Sequence, residues 1–206
     1  MLKNFVYLLF LFSVVAKAEI KHEKYYSFLS QGFNIHNYQQ CNKLIQSCPV
    51  DIFPDGDCVE KILQTKEVCQ QFAKLTDALG TTFITIKQIA DFSLITEELL
   101  ADGQNSYYIL SNGYLINTNI DPRELDASLA KKYKKTSFFI ANWGEPQYQK
   151  HKEGSQSFLA ELKITEGCLA CPSIALATIE FKFSKIGDYL GPQLKKFQLT
   201  SNSLKK

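Results

Sequence analysis

Apolar and polar positions change rhythm along the 206-residue chain, and each rhythm predicts a different element. Phe5 to Val15 is an eleven-residue apolar run without charge, preceded by Lys3 and followed by Ala16-Lys17-Ala18. A positive start, an apolar segment and an A-x-A site, in that order, are the parts of a secretory signal peptide. A bilayer span takes about 18 or more apolar residues, so cleavage after Ala18 is favoured over a retained anchor. Residues 1–18 are read as a signal peptide and residues 19–206 as a single exported α+β domain, with no transmembrane anchor after cleavage. No cysteine stands at position 19, which leaves no thiol there for acylation.

From about residue 37 to 79 the rhythm is helical. Cys41 and Cys48 are seven apart, and Cys58 and Cys69 eleven apart. At about 100° per residue both spacings return to nearly the same helix face. Between the pairs, the stretch from Pro49 to Asp57 is dense in helix breakers and turn formers. The prediction is a helical hairpin, about Asn37–Ser47 and Asp57–Leu79, with Asp57 capping the second helix and Gly80 ending it. Val59, Ile62, Leu63, Phe72 and Leu75 supply its apolar stripe. Six cysteines allow fifteen pairings. The hairpin selects nested bridges Cys41–Cys69 and Cys48–Cys58 and leaves Cys168–Cys171 as the third. The two spacings differ by four residues, about 6 Å of helix rise, whereas bridged Cα atoms lie within about 7 Å. Cys41 or Cys48 is therefore expected just outside regular helix.

Beyond Gly80, from about residue 81 to 200, the rhythm becomes that of strands. Thr82–Ile89 is β-rich, and Tyr107–Leu110 and Tyr114–Thr118 flank Ser111-Asn112-Gly113, a strong hairpin signal. Asp121-Pro122-Arg123-Glu124 predicts a capped helix start, with Leu125, Leu129 and Tyr133 recurring along the helix. Thr136–Asn142, Ser157–Ile164 and Ile174–Phe183 read as further strands, and Gln147–Gln156 as an exposed polar loop. No internal repeat or low-complexity linker interrupts the chain. The expected fold class is α+β: an N-terminal disulfide-braced helical hairpin followed by a mainly antiparallel sheet with one further helix.

Composition sharpens the partner classes. Apolar residues make up 45% and charged residues 21%, as in a packed globular domain. Cleavage of residues 1–18 removes Lys3 and Lys17 and no acid, so the exported part carries 21 basic and 21 acidic residues. A neutral domain has no global attraction to nucleic acid or anionic membranes. Arg123 is the sole arginine, and the two-pronged recognition of guanine and phosphate that guanidinium provides is missing. Nucleic acid is disfavoured as a partner, whereas protein, glycan and lipid ligands stay open. All six cysteines fall in the exported part, an even count that suits disulfides made in an oxidising compartment, periplasmic or extracellular.

Four features carry candidate chemistry. Cys168-Leu169-Ala170-Cys171 is a CxxC motif, the sequence of thiol–disulfide centres. Gly167 and Pro172 bracket it between two strands, with no helix to activate a thiolate, which favours a structural clip. A lone CxxC is also a poor start for a zinc site, and no metal or cofactor is expected. The run Lys131-Lys132-Tyr133-Lys134-Lys135 is a candidate acid-binding patch or a solvated helix end. His22, His36 and His151 are the only histidines, and pairing His151 with Cys168 in a hydrolase would need a free thiol. Tyrosines and phenylalanines such as Tyr107, Tyr108, Tyr114, Phe138, Phe139 and Tyr148 suit either a recognition surface or a core. No G-x-S-x-G, H-E-x-x-H, P-loop or dinucleotide-binding glycine pattern occurs. The first functional expectation is an exported disulfide-stabilised binding module without a catalytic set. The alternatives are a periplasmic thiol–disulfide protein using Cys168 and Cys171, and an exported hydrolase.

Overall fold

The computed structural model describes residues 23–25, 32–50, 55–98, 105–141 and 144–200. The signal segment 1–18, His22, Tyr26 and Trp143 lie outside these residues. After a short first strand at Glu23–Tyr25 come three helices, α1 (Ile35–Ile45), α2 (Gly56–Thr65) and α3 (Gln70–Leu79), the last two joined by a 3-10 turn at Glu67–Cys69. Helix α1 begins two residues before the expected start because the Asn34 carboxamide accepts the amides of His36 and Asn37. Helix α2 is capped by Asp55, whose carboxylate accepts the Cys58 amide, and not by Asp57.

The long second helix of the expected hairpin is broken. Lys66 adopts extended backbone (φ −96°, ψ 116°), so α2 stops at Thr65 and the chain restarts at Gln70. This break removes the conflict between the two cysteine spacings. Cys48 lies beyond the end of α1, Cys69 sits at the break, and both bridges close with Cα separations of 5.1 Å (Cys41–Cys69) and 5.8 Å (Cys48–Cys58).

Among the described residues, ten strands build two antiparallel sheets in place of one. The first contains β1 (Glu23–Tyr25), β2 (Ile84–Ile89), β3 (Phe92–Glu98), β4 (Asn105–Ser111) and β5 (Tyr114–Asn117), ordered β1-β5-β4-β3-β2. The second contains β6 (Ser137–Ile140), β7 (Gln147–Lys150), β8 (Gln156–Thr165), β9 (Ser173–Phe183) and β10 (Tyr189–Leu199), ordered β10-β9-β8-β6. The segment Gln147–Gln156 is thus no simple loop. Gln147–Lys150 pairs with Leu159–Gln156, extending the same edge of β8 that β6 occupies from Thr165 to Leu162. The expected helix from Asp121 is also interrupted. Helices α4 (Pro122–Leu125) and α5 (Ala127–Lys132) are separate turns, because Asp126 is extended and caps the second one.

Strand parity sorts the side chains into two cores. Phe92, Leu94, Ile109 and Ile116 of the first sheet face Phe158, Leu162, Ile179 and Phe181 of the second. The Phe92 ring lies 4.7 Å from that of Phe183 and 5.2 Å from that of Phe158. The other face of the first sheet, through Ile84, Ile95, Leu110 and Leu115, packs on Tyr38, Phe72 and Leu75 of the helices. The result is three layers: helices, a sheet buried on both faces, and a second sheet with one face in water. Gly187 helps to lock the sheets at one end. Its φ of +84° and the Ser111 Oγ, 3.1 Å from where a Cβ would stand, leave room only for glycine. The Gly187 carbonyl accepts that Ser111 hydroxyl at 2.8 Å.

Candidate functional site

One concave cleft lies among the helices. Asn42 and Ile45 of α1, Val59, Glu60 and Leu63 of α2, and Phe83 ahead of β2 line a cleft of about 500 Å³. The break at Lys66 ends α2 at Thr65, and the cleft takes its walls from α1, from α2, from Phe72 of α3 and from Thr82 and Phe83 ahead of the sheet. The two bridges hold the helices on either side. Phe83, 40% exposed, is the aromatic wall that water still reaches. Asn42 and Glu60 are the polar side chains on the α1 and α2 walls, and Glu60 accepts the Gln64 amide at 2.8 Å.

A second cluster gathers two features that are far apart in sequence. Ser137 opens β6 opposite Thr165, and its hydroxyl donates to the Gly167 carbonyl at 3.2 Å. This contact brings the end of the lysine run next to the CxxC loop. Cys168 is exposed, Cys171 is half-buried, and the two form a disulfide. The loop is a turn closed by the Cys171 amide on the Cys168 carbonyl (3.1 Å), with Thr165 Oγ1 on that same carbonyl (2.9 Å). Lys163 Nζ donates to the Leu169 carbonyl at 2.6 Å, which sets an ammonium inside the loop. Taken singly, closing sequence separations of 28, 10 and 3 is worth about 3.5, 2.7 and 1.5 kcal/mol by chain entropy. The third bridge is the weakest brace, and the β8–β9 ladder, reaching Thr165 and Ser173, already closes its loop.

The lysine run stands exposed at the end of α5, but the carbonyls there are met by the sole arginine. The Arg123 guanidinium grips Asp121 and donates to the carbonyls of Tyr133 and Thr136, both at 3.0 Å. The Asp121 hydrogen bond holds the Arg123 pKa above its usual value, so the sole guanidinium is permanently engaged in structure. Lys131, Lys132, Lys134 and Lys135 are exposed and, among the described residues, form no ion pair. Lys132 lies over the Tyr133 ring at 5.3 Å. Tyr133 itself packs on Phe197.

A third cluster escapes sequence reading. Glu180 belongs by parity to the water-facing side of β9 yet is only 2% exposed. Lys195 (3.1 Å), Lys182 (3.7 Å) and His151 (3.8 Å) surround its carboxylate. Burial pushes its pKa up, but the Lys195 hydrogen bond, the two ammonium charges and the Ser157 hydroxyl outweigh that and hold it below the usual carboxylate range. Ser157, His151 and Glu180 are not a hydrolytic triad. In a triad the acid orients the nitrogen that the serine does not use. Here Ser157 Oγ (3.0 Å) and Glu180 approach the same Nε2, and Ser157 is fully buried. His151 and Cys168 stand at opposite ends of β8, about 30 Å apart, so no cysteine–histidine pair forms. His36, on α1, contacts Gln40 at 2.8 Å. Among the described residues no three His, Cys, Asp or Glu side chains converge as a metal site, and no helix is long and apolar enough to cross a membrane.

Comparison with known proteins adds no kinship: no family model matches the chain, and neither a curated protein nor a solved structure matches it.

Proposed function

We propose that this chain is an exported, disulfide-stabilised binding module, periplasmic or secreted, and that its ligand is a small amphipathic molecule held in the α1–α2 cleft. The observation that carries this reading is a concave apolar space braced by two covalent bridges. A volume of about 500 Å³ falls within the roughly 300–1,000 Å³ of small-molecule sites. Ile45, Val59, Leu63 and Phe83 suit an alkyl or aromatic body, which favours a lipid-like ligand over a glycan. The Glu60 carboxylate favours a hydrogen-bond donor or an ammonium at its polar end. Three disulfides fit function in an oxidising compartment.

Fluorescence titration with N-phenyl-1-naphthylamine tests the site, with dodecylamine and dodecanoate as competitors. Saturable binding to one site is expected, with dodecylamine the better competitor. Leu63→Asp should abolish binding and Phe83→Asp weaken it at least tenfold, with the far-ultraviolet circular dichroism unchanged. Absence of saturable binding, or equal binding by the folded variants, would overturn the reading.

A further inference from the structure

We infer that the Cys168–Cys171 disulfide is a thiol–disulfide exchange site that accepts electrons from a protein or peptide dithiol flanked by acidic residues. Three observations converge on it. The bridge spans the shortest loop of the three and sits at a hairpin end that the β8–β9 ladder closes without it. Cys168 is exposed to an attacking thiolate, whereas Cys41, Cys48 and Cys69 are buried. Cationic groups neighbour the loop: Lys163 donates to its Leu169 carbonyl, and the exposed Lys134 and Lys135 lie three and two residues before the Ser137 that hydrogen-bonds Gly167, beside one acid, Glu166, in the loop itself. Electropositive, partly exposed surroundings lower a thiol pKa, which here makes the departing sulfur a better leaving group.

The step balances without another reagent. A thiolate of the incoming dithiol attacks Cys168 Sγ, the Cys168–Cys171 bond breaks, and Cys171 leaves as a thiolate that takes up a proton. The second thiol of the substrate, deprotonated, attacks its own sulfur in the mixed disulfide and releases Cys168 as a thiolate, which is then protonated. The substrate dithiol is oxidised to a disulfide, and the Cys168–Cys171 disulfide is reduced to a dithiol. The lysines act on approach, so the reaction carries a charge signature that a merely exposed clip lacks.

The test uses the full mature chain, with opening of each bridge followed by alkylation and mass spectrometry. Anionic mercaptoacetate and cationic cysteamine are the single-thiol probes. Mercaptoacetate should open Cys168–Cys171 several-fold faster at equal thiolate concentration, leaving the other two bridges intact. That preference should fade in high salt and in the Lys134→Gln, Lys135→Gln double variant. The Cys171→Ser chain, whose Cys168 is a free thiol, should trap a mixed disulfide with an acidic single-cysteine peptide supplied as its thionitrobenzoate disulfide: the Cys168 thiolate attacks the peptide sulfur and thionitrobenzoate leaves. Equal rates for the two probes, or no trapped adduct, would overturn the proposal. So would a Cys168→Ser, Cys171→Ser protein that no longer folds, since the bridge would then be a structural requirement. None of these outcomes depends on the helical cleft being a ligand site.

Discussion

Glu180 illustrates how one residue's surroundings reverse its expected behaviour. Strand parity places it toward water beside Lys182, but Lys182, Lys195 and His151 close over it. With a folded pKa below the unfolded one, its ionised form stabilises the native state, and that contribution is complete above the unfolded value of about 4.3. It is lost as pH falls through the depressed folded value. Glu180→Gln is therefore expected to cost about 1–2 kcal/mol near neutral pH. The difference should shrink as pH falls below the usual carboxylate range, as urea unfolding at neutral and at acid pH will measure. A gap that stays constant or widens in acid would show that the carboxylate is not held by its cationic neighbours.

At the scale of elements, the helical hairpin owes its shape to covalent closure more than to helix length. Helices of eleven, ten and ten residues are marginal alone, and their apolar faces are shared with the first sheet. Replacing Cys41 and Cys69 together with serine should cost about 3–4 kcal/mol in urea unfolding and abolish probe binding in the cleft. Replacing Cys168 and Cys171 should cost at most about 1.5 kcal/mol and leave the cleft intact.

The cysteine spacings, the breakers after Cys48 and Gly80 made the hairpin legible in sequence, and Asn112-Gly113 did the same for β4–β5. The break at Lys66 was hidden, because Gln64-Thr65-Lys66-Glu67 contains neither glycine nor proline. Strand β3 was hidden for another reason. It is buried on both faces, so Phe92, Ser93, Leu94 and Ile95 give a continuous buried run without alternation. Strand β7 is a polar edge strand that reads as a loop, and the periodic Leu125, Leu129 and Tyr133 masked the second cap at Asp126. The cleft was not legible at all, since its walls come from α1, α2 and the approach to β2 and meet only in the folded chain.

At the scale of the whole molecule, the layers separate the two proposed sites. The first sheet is the shared wall, with the helical cleft against one face and the second sheet against the other. The Cys168–Cys171 loop belongs to that second sheet, beside the lysine run, so the two proposed activities need not interfere. The charge is also organised: Lys131, Lys132, Lys134 and Lys135 stand exposed together at one corner, while Lys87 pairs with Glu145 and Lys195 with Glu180. Covalent closure by three disulfides underlies this architecture, and the proposal that they form on export is tested most directly by peptide mapping of the protein from the exported fraction, digested without reductant. Cross-linked peptides joining Cys41 to Cys69, Cys48 to Cys58 and Cys168 to Cys171, on a chain that starts at Glu19, are the predicted result. Free thiols at Cys41, Cys48, Cys58 or Cys69, or a chain that never leaves the cytosol, would contradict it.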